Sequence, residues 1–201
     1  ETTGSYNVAV GKSAMSSSSL TSRNVAIGYE ALYNCTLGTL GDTYNVAIGY
    51  NAGKAMTSGV ENVIIGGLAG DALTTGHYNV AIGMRALSAE DAHGYNVAIG
   101  RDALKVQNAG ANAYNVAIGY SAGVAITTGL QNTIIGGTAG DALTTGGYNI
   151  ALGYRALSQE DTGTNNVAIG YYALEALNYD GSGYNVAIGH SAGAVVTTGV
   201  Q

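Results

Sequence analysis

One short apolar motif, Asn-Val-Ala-Ile-Gly with small variations, recurs eleven times along the chain. Within each copy the Val and the Ile are two residues apart, which places both on one face of an extended segment and the Ala on the other. The pattern predicts eleven short β-strands, each buried on its Val/Ile face. The copies begin at Asn7, Asn24, Asn45, Asn62, Asn79, Asn96, Asn115, Asn132, Asn149, Asn166 and Asn185.

The spacing of the motifs predicts how the strands are arranged. Successive copies are 17, 21, 17, 17, 17, 19, 17, 17, 17 and 19 residues apart, and Asn45, Asn115 and Asn185 are 70 apart. A unit this short cannot bury its own apolar face, so successive units must stack as parallel strands. We therefore predict an all-β fold, a repetitive parallel β-solenoid (β-roll) of eleven coils of about 17 residues with a 70-residue super-repeat, forming one continuous array over residues 1–201.

Two residues are present in all eleven copies, the Asn and the Gly four residues after it. In a stack of identical coils the Asn residues lie above one another, and we expect a structural ladder of side-chain amides along the axis. Exposure of these residues for ligand or glycan contact is the alternative. The Gly suits a sharp corner, where a positive φ or a close backbone approach is needed. Corner positions are predicted at Gly49, Gly66, Gly83, Gly100, Gly119 and Gly136.

The coils differ from one another in two ways. Eight residues after the Asn, some coils carry Gly and others carry Leu, and we expect the Leu coils to form a helical turn there, as at residues 101–106. Two coils replace the central Ala by Ile and add a second Gly. Extra bulk beside paired glycines suggests a contact surface for another chain. The interface candidates are Ile64, Gly67, Ile134 and Gly137.

Composition and charge exclude several partners. The chain has 32 Gly, no Pro, no Phe and no Trp, and a formal net charge of −6 with only seven Lys and Arg. Binding to nucleic acid or to an acidic membrane surface needs clustered positive charge, so neither is expected. No apolar stretch is long enough to insert into a membrane. The one cysteine, Cys35, has no partner for an internal disulfide; we expect a free, half-buried thiol, with an interchain link as the alternative.

The candidate chemical residues favour no enzyme, no cofactor and no metal site. The pairs Glu90-Asp91 and Glu160-Asp161 lack an opposed carboxylate and are expected to be solvated loop charges. The three histidines have no ligands at metal-binding spacing. Residues 66–73 and 136–143 partly match a calcium-binding nonapeptide, but calcium β-rolls need this motif in consecutive turns. Asp71 and Asp141 are the residues to test for calcium.

The pattern Asn-Val-Ala-Ile-Gly-x-x-Ala-Leu/Gly resembles the head repeats of trimeric autotransporter adhesins and similar repeats of bacteriophage tail fibres. The resemblance runs from Ser5 to the end of the chain and is strongest at Asn79–Leu87 and Asn149–Leu157. It implies a β-roll, in a homotrimer of identical chains, on a fibre at a cell surface, outside the cell or on a virion.

Two functions fit this resemblance. The first is a structural shaft or filament, and the second is an adhesin or receptor-binding module for host-surface glycans. The tyrosines expected to be exposed for the second role are Tyr29, Tyr50, Tyr120, Tyr154 and Tyr171. Because the loops largely repeat at 70 residues, whereas a binding surface should vary, we favour the shaft.

The repeat is also in mid-cycle at both ends. Residues 2–7 align with residues 74–79, and residues 197–201 align with residues 127–131, which directly precede a strand. Neither end shows a polar capping coil. We expect the array to be a piece of a longer one.

Overall fold

The computed structural model describes residues 4–199, and over that range the chain is an all-β parallel solenoid of eleven coils. The terminal residues 1–3 and 200–201, which bear on the predicted continuation of the array, lie outside the described residues. The strands are β1 (Val8–Val10), β2 (Ser19–Ser22), β3 (Val25–Ile27), β4 (Thr36–Asp42), β5 (Val46–Ile48), β6 (Val63–Ile65), β7 (Val80–Ile82), β8 (Val97–Ile99), β9 (Val116–Ile118), β10 (Thr133–Ile135), β11 (Ile150–Leu152), β12 (Val167–Ile169) and β13 (Val186–Ile188).

Each motif contributes one three-residue strand to a single parallel sheet. The sheet has eleven strands in the order β1-β3-β5-β6-β7-β8-β9-β10-β11-β12-β13. Pairing is in register throughout, so that Val97, Ala98 and Ile99 pair with Val116, Ala117 and Ile118. The longest interval between motifs, 21 residues, contains β4, which pairs with β2 in a second, two-stranded sheet. The predicted parallel β-solenoid is confirmed.

The predicted orientation of the strands is wrong. The central Ala of the motif points inward, and Ala98 and Ala117 have no exposed surface, whereas the flanking Val and Ile point outward. Ile64 and Ile134 occupy the central position in their coils and are fully buried as well. They fill the interior of the coil and do not face another chain, contrary to the expectation for these two residues.

The interior of each coil is filled in one of two ways. The residue eight after the Asn has a positive φ in every coil; Leu87 (φ 51°) is an example with Leu and Gly70 (φ 48°) one with Gly. Where this residue is Leu, its side chain fills the core. Where it is Gly, an apolar residue three positions later fills the core instead, and a Cβ on Gly70 would lie 2.9 Å from Leu73 Cδ1. In the Gly coils these residues are Met56, Leu73, Ile126 and Leu143, which are fully buried, and Val196, which is partly buried against the core.

The same backbone conformation excludes the helical turn predicted for the Leu coils. Residues 101–106 form turns in which Asp102 (φ 61°) and Leu104 (φ 47°) are both left-handed. A right-handed helix needs φ near −60° at each residue. The described residues include no helix, and therefore none with the length and apolar character required to cross a bilayer.

Candidate functional site

The main candidate surface is the outward side of the large sheet, which we call the outward face: the first and third residues of its eleven strands. These side chains form two parallel columns of Val, Ile and Leu, interrupted by Thr133. Inside the stack each side chain is partly covered by its neighbours, and Ile135 remains 38% exposed. On the last strand Val186 and Ile188 are 69% and 67% exposed. The outward face is thus a continuous apolar surface on a regular sheet.

A buried column of asparagines holds this sheet in register. The main-chain N–H of each Asn donates to the side-chain Oδ1 of the Asn in the preceding coil, at 2.8 to 3.2 Å, in all ten steps. The amide Nδ2 commonly donates across the coil to a main-chain carbonyl, as from Asn115 to Gly129 (2.7 Å). A direct bond between two side-chain amides occurs in fewer steps, as from Asn62 to Asn45 (3.1 Å). The Asn residues are thus interior groups that link the coils along the axis.

The corner glycines allow the coils to approach closely. Gly119 has a φ of 141°, and a Cβ built on it would lie 2.5 Å from the carbonyl oxygen of Gly136 in the next coil. The other predicted corner residues share this conformation. A side chain in place of one of these glycines would therefore collide with the backbone of the next coil. The corner also marks the edge of the outward face.

On one side of the outward face runs the column of residues that precede each Asn. Tyr78, Tyr95 and Tyr114 lie above one another, with centroids 5.0 Å apart at both steps. Elsewhere in the column Arg23 is stacked between tyrosines, its guanidinium carbon 4.8 Å from the ring centre of Tyr6 and 5.8 Å from that of Tyr44. These residues are exposed at the edge of the sheet.

On the other side runs the column of residues that follow each corner glycine. Tyr29 stacks on Tyr50, and Tyr154 stacks on Tyr171, each pair with centroids 5.4 Å apart. Tyr120 is exposed as predicted, and Gly67 and Gly137 interrupt the column. Sugar rings bind aromatic faces, but stacked tyrosines cover one another's faces and present mainly edges to solvent.

The paired carboxylates are placed differently from the prediction. Glu90 and Glu160 are fully buried, and only their neighbours Asp91 and Asp161 reach the surface. Glu160 accepts hydrogen bonds from the main-chain N–H groups of Gly163 (2.7 Å) and Tyr179 (3.1 Å). Burial raises the pKa of Glu160 above its ordinary value, and these hydrogen bonds oppose that shift. The two glutamates are structural acceptors that fix the turns of their own coil and the next.

Glu90 also belongs to the one group of three potential metal ligands found within the described residues. The ligand atoms of Glu90, Asp91 and His93 lie within 4.8 Å of one another. His93 Nδ1 is already 3.2 Å from a Glu90 carboxylate oxygen. The expectation that no carboxylate lies at metal-ligand spacing from His93 is wrong, because the turn that joins these residues brings Glu90 and Asp91, three and two residues before it, close to its ring. The calcium candidates, Asp71 and Asp141, belong to no such group, and burial raises the pKa of both carboxyls.

Cys35 is a buried thiol rather than a half-buried one. Burial raises its pKa to about 11, although hydrogen bonds with Thr21 and Thr43 act in the opposite direction. A thiol in this environment is poorly suited to an interchain link.

Comparison with known proteins adds no family to this description. No protein-family model matches the chain, and neither a curated protein nor a solved structure is significantly similar to it. The functional reading therefore rests on the geometry of the solenoid and on the motif itself.

Proposed function

We propose that this chain is a structural segment of a fibre in which three identical chains pack their outward faces around a common axis. The observation that carries the proposal is the outward face itself, two columns of mainly aliphatic side chains that point away from the core on eleven strands and are only partly covered by their neighbours. Contiguous apolar surfaces of this kind mark interaction sites in soluble proteins.

Another copy of the same chain is the partner that fits this face best. Its side chains repeat at the strand spacing of about 4.8 Å, and a second stack of the same period matches it row by row. Identical chains related by rotation about an axis parallel to the stack form a closed assembly. Chains that were also shifted along that axis at each step would form an open helical filament instead. The number three follows from the resemblance to trimeric fibre repeats.

The proposed role is mechanical rather than catalytic. A stack with interior Asn bonds at each of its ten steps is stiff along its axis. Main-chain hydrogen bonds also join the turns of successive coils, and a backbone held in this way resists the local unfolding that proteases need. We place the fibre outside the cell, on a cell surface or on a virion, because stiffness and protease resistance are useful there.

Light scattering coupled to size-exclusion chromatography tests the assembly. The expected particle mass is three times the chain mass of 20.1 kDa. A monomer that stays in solution at high concentration would contradict the proposal, because the apolar outward face would then be stable in water without a partner chain.

Glycan-array binding tests the structural role against an adhesin role. We expect no strong, selective binding, since four of the candidate tyrosines cover each other's faces in two stacked pairs. The pairs are Tyr29 with Tyr50, and Tyr154 with Tyr171. Selective binding of one glycan class by the isolated segment would instead favour the receptor-binding module.

A further inference from the structure

A second surface feature lies beside the outward face, in the column of residues that precede each Asn. Tyr44, Glu61 and Tyr78 occupy this position in three successive coils. Two strand spacings, or roughly 10 Å, therefore separate the two tyrosines. A shallow cavity of about 480 Å³, lined by Tyr44, Glu61 and Val63, opens here.

The carboxylate in this cavity has no cationic partner. None of the ion pairs formed within residues 4–199 includes Glu61, although Glu30, Asp42, Asp102 and Glu175 are all paired with Lys or Arg. Glu61 is exposed, and its coil neighbours on both sides are exposed aromatic rings. An acidic group between two aromatic rings favours a cation, because the carboxylate and the ring faces both attract positive charge.

The same column shows which cation fits between two of its tyrosines. Two coils before Glu61, the guanidinium of Arg23 lies between Tyr6 and Tyr44, with its carbon 4.8 and 5.8 Å from the two ring centres. Its Nε donates to Asp42 Oδ2 at 2.8 Å, and the Tyr44 hydroxyl donates to the same oxygen at 3.0 Å. The chain thus contains a guanidinium site made of two tyrosines and a carboxylate.

We propose that the cavity lined by Tyr44, Glu61 and Val63, with Tyr78 in the next coil on its far side, binds a guanidinium group, presented as an arginine side chain by a polypeptide partner. Glu61 supplies the carboxylate that Asp42 supplies to Arg23, and Tyr44 and Tyr78 supply the rings. A planar guanidinium stacks on such rings better than a lysine ammonium does. Because the site is exposed to water, the dissociation constant for a single arginine is on the order of tens of millimolar.

The super-repeat provides a control. Seventy residues later the same column reads Tyr114, Gln131 and Tyr148, so a neutral amide stands where Glu61 stands. The side chain at this position is exposed in both coils. The carboxylate is therefore the feature that distinguishes the proposed site from an otherwise similar one.

Saturation-transfer NMR on the whole chain, with N-acetyl-arginine methylamide as the probe, tests the proposal. We expect a saturable signal that the uncharged isostere N-acetyl-citrulline methylamide does not give. Glu61→Gln should remove the signal, and Gln131→Glu should roughly double its maximum by creating a second site. Asp180→Asn changes the net charge by the same amount as Glu61→Gln at a distant exposed position, and should leave the signal unchanged.

Three results would overturn the proposal: equal signals from the arginine and citrulline probes, a signal that survives Glu61→Gln, or a loss of signal in Asp180→Asn comparable to that in Glu61→Gln. Circular dichroism on each variant checks that the solenoid is intact. Gln is the natural residue at the equivalent position in another coil, so Glu61→Gln should fold.

Discussion

Buried polar side chains do much to define this solenoid. Ten of the eleven Asn residues of the column are buried, and each one from Asn7 to Asn166 accepts a hydrogen bond from the coil that follows it. Glu160 is buried without a cation and is stabilised by main-chain N–H groups instead. Removing a partner from a buried polar group is costly, because the remaining group has neither water nor protein to bind. These residues therefore fix the register of the coils as well as their stability.

Glu160 should make stability depend on pH. Its pKa is raised above the ordinary 4.5, so the folded chain binds a proton more readily than the unfolded chain. Stability should therefore fall as the pH rises from about 4.5 through the raised pKa, and the loss should be complete above it. In Glu160→Gln this contribution is absent, and calorimetry between about pH 4 and pH 8 should give a flatter profile of Tm.

Part of the slope should remain in that variant, because the pKa values of Asp71 and Asp141 are raised in the same direction. A profile as steep as that of the unmodified chain would show that Glu160 keeps its ordinary pKa in the fold.

Cys35 should be unreactive in the folded chain. With its pKa raised to about 11 from 9.0, the thiolate fraction at pH 8 is about 100-fold lower than that of an ordinary cysteine. Alkylation by iodoacetamide should be slower by at least that factor, since burial also blocks access. Urea-unfolded chain is the control and should react at the ordinary rate; comparable rates in the two states would contradict the buried position.

At the scale of the strand, the repeat predicts the position and spacing of the strands, but not which of their two faces points into the coil. Val and Ile are larger and more apolar than Ala, so burial of the Val/Ile face was the natural expectation. The interior of the coil is too narrow for the Val and Ile side chains. The Leu eight residues after the Asn, or the apolar residue that replaces it in the Gly coils, already fills this space. Ile64 fits at the Ala position only where Gly70 leaves room, and a Cβ on Gly70 would lie 3.3 Å from Ile64 Cδ1.

Charge substitutions at two neighbouring residues of β8 should distinguish the role of the inward face of the sheet from that of the outward face. Ala98→Asp places an unpaired carboxylate in the interior, where neither water nor a partner can stabilise it, and should prevent local stacking. Ile99→Asp lies on the outward face and should leave the coils intact while dissociating the chains. Circular dichroism reports the first effect and light scattering the second. Loss of the β-signal in Ile99→Asp alone would show that the outward face is part of the monomer core.

The corner column offers a matched pair of glycines. Gly119→Ala combines a left-handed φ with a Cβ 2.5 Å from the backbone of the next coil, whereas Gly189 has a similar φ and no atom within 4 Å. Backbone strain alone costs about 1–3 kcal/mol. Gly119→Ala should therefore lower Tm clearly more than Gly189→Ala does. Equal effects would mean that close coil contact does not constrain the corner.

For the whole molecule, the repeat was sufficient to predict the solenoid, its eleven coils and its parallel pairing. Identical residues at a fixed interval must occupy equivalent places in a stack, and this rule needs no knowledge of side-chain contacts. The position of Glu90 beside His93 and the stacking of Arg23 between two tyrosines could not be predicted in this way. They depend on turn geometry within single coils, where the repeat varies.

The central claim is that the outward Val/Ile face is covered by identical chains in a three-chain fibre. A cryo-EM cross-section perpendicular to the fibre axis tests it most directly, because it counts the chains and shows which face lies at the centre. We expect three solenoids with their Val/Ile columns at the axis and the Asn column inside each chain. A single-chain rod, a two-chain ribbon, or three chains with the Val/Ile columns facing solvent would contradict the account.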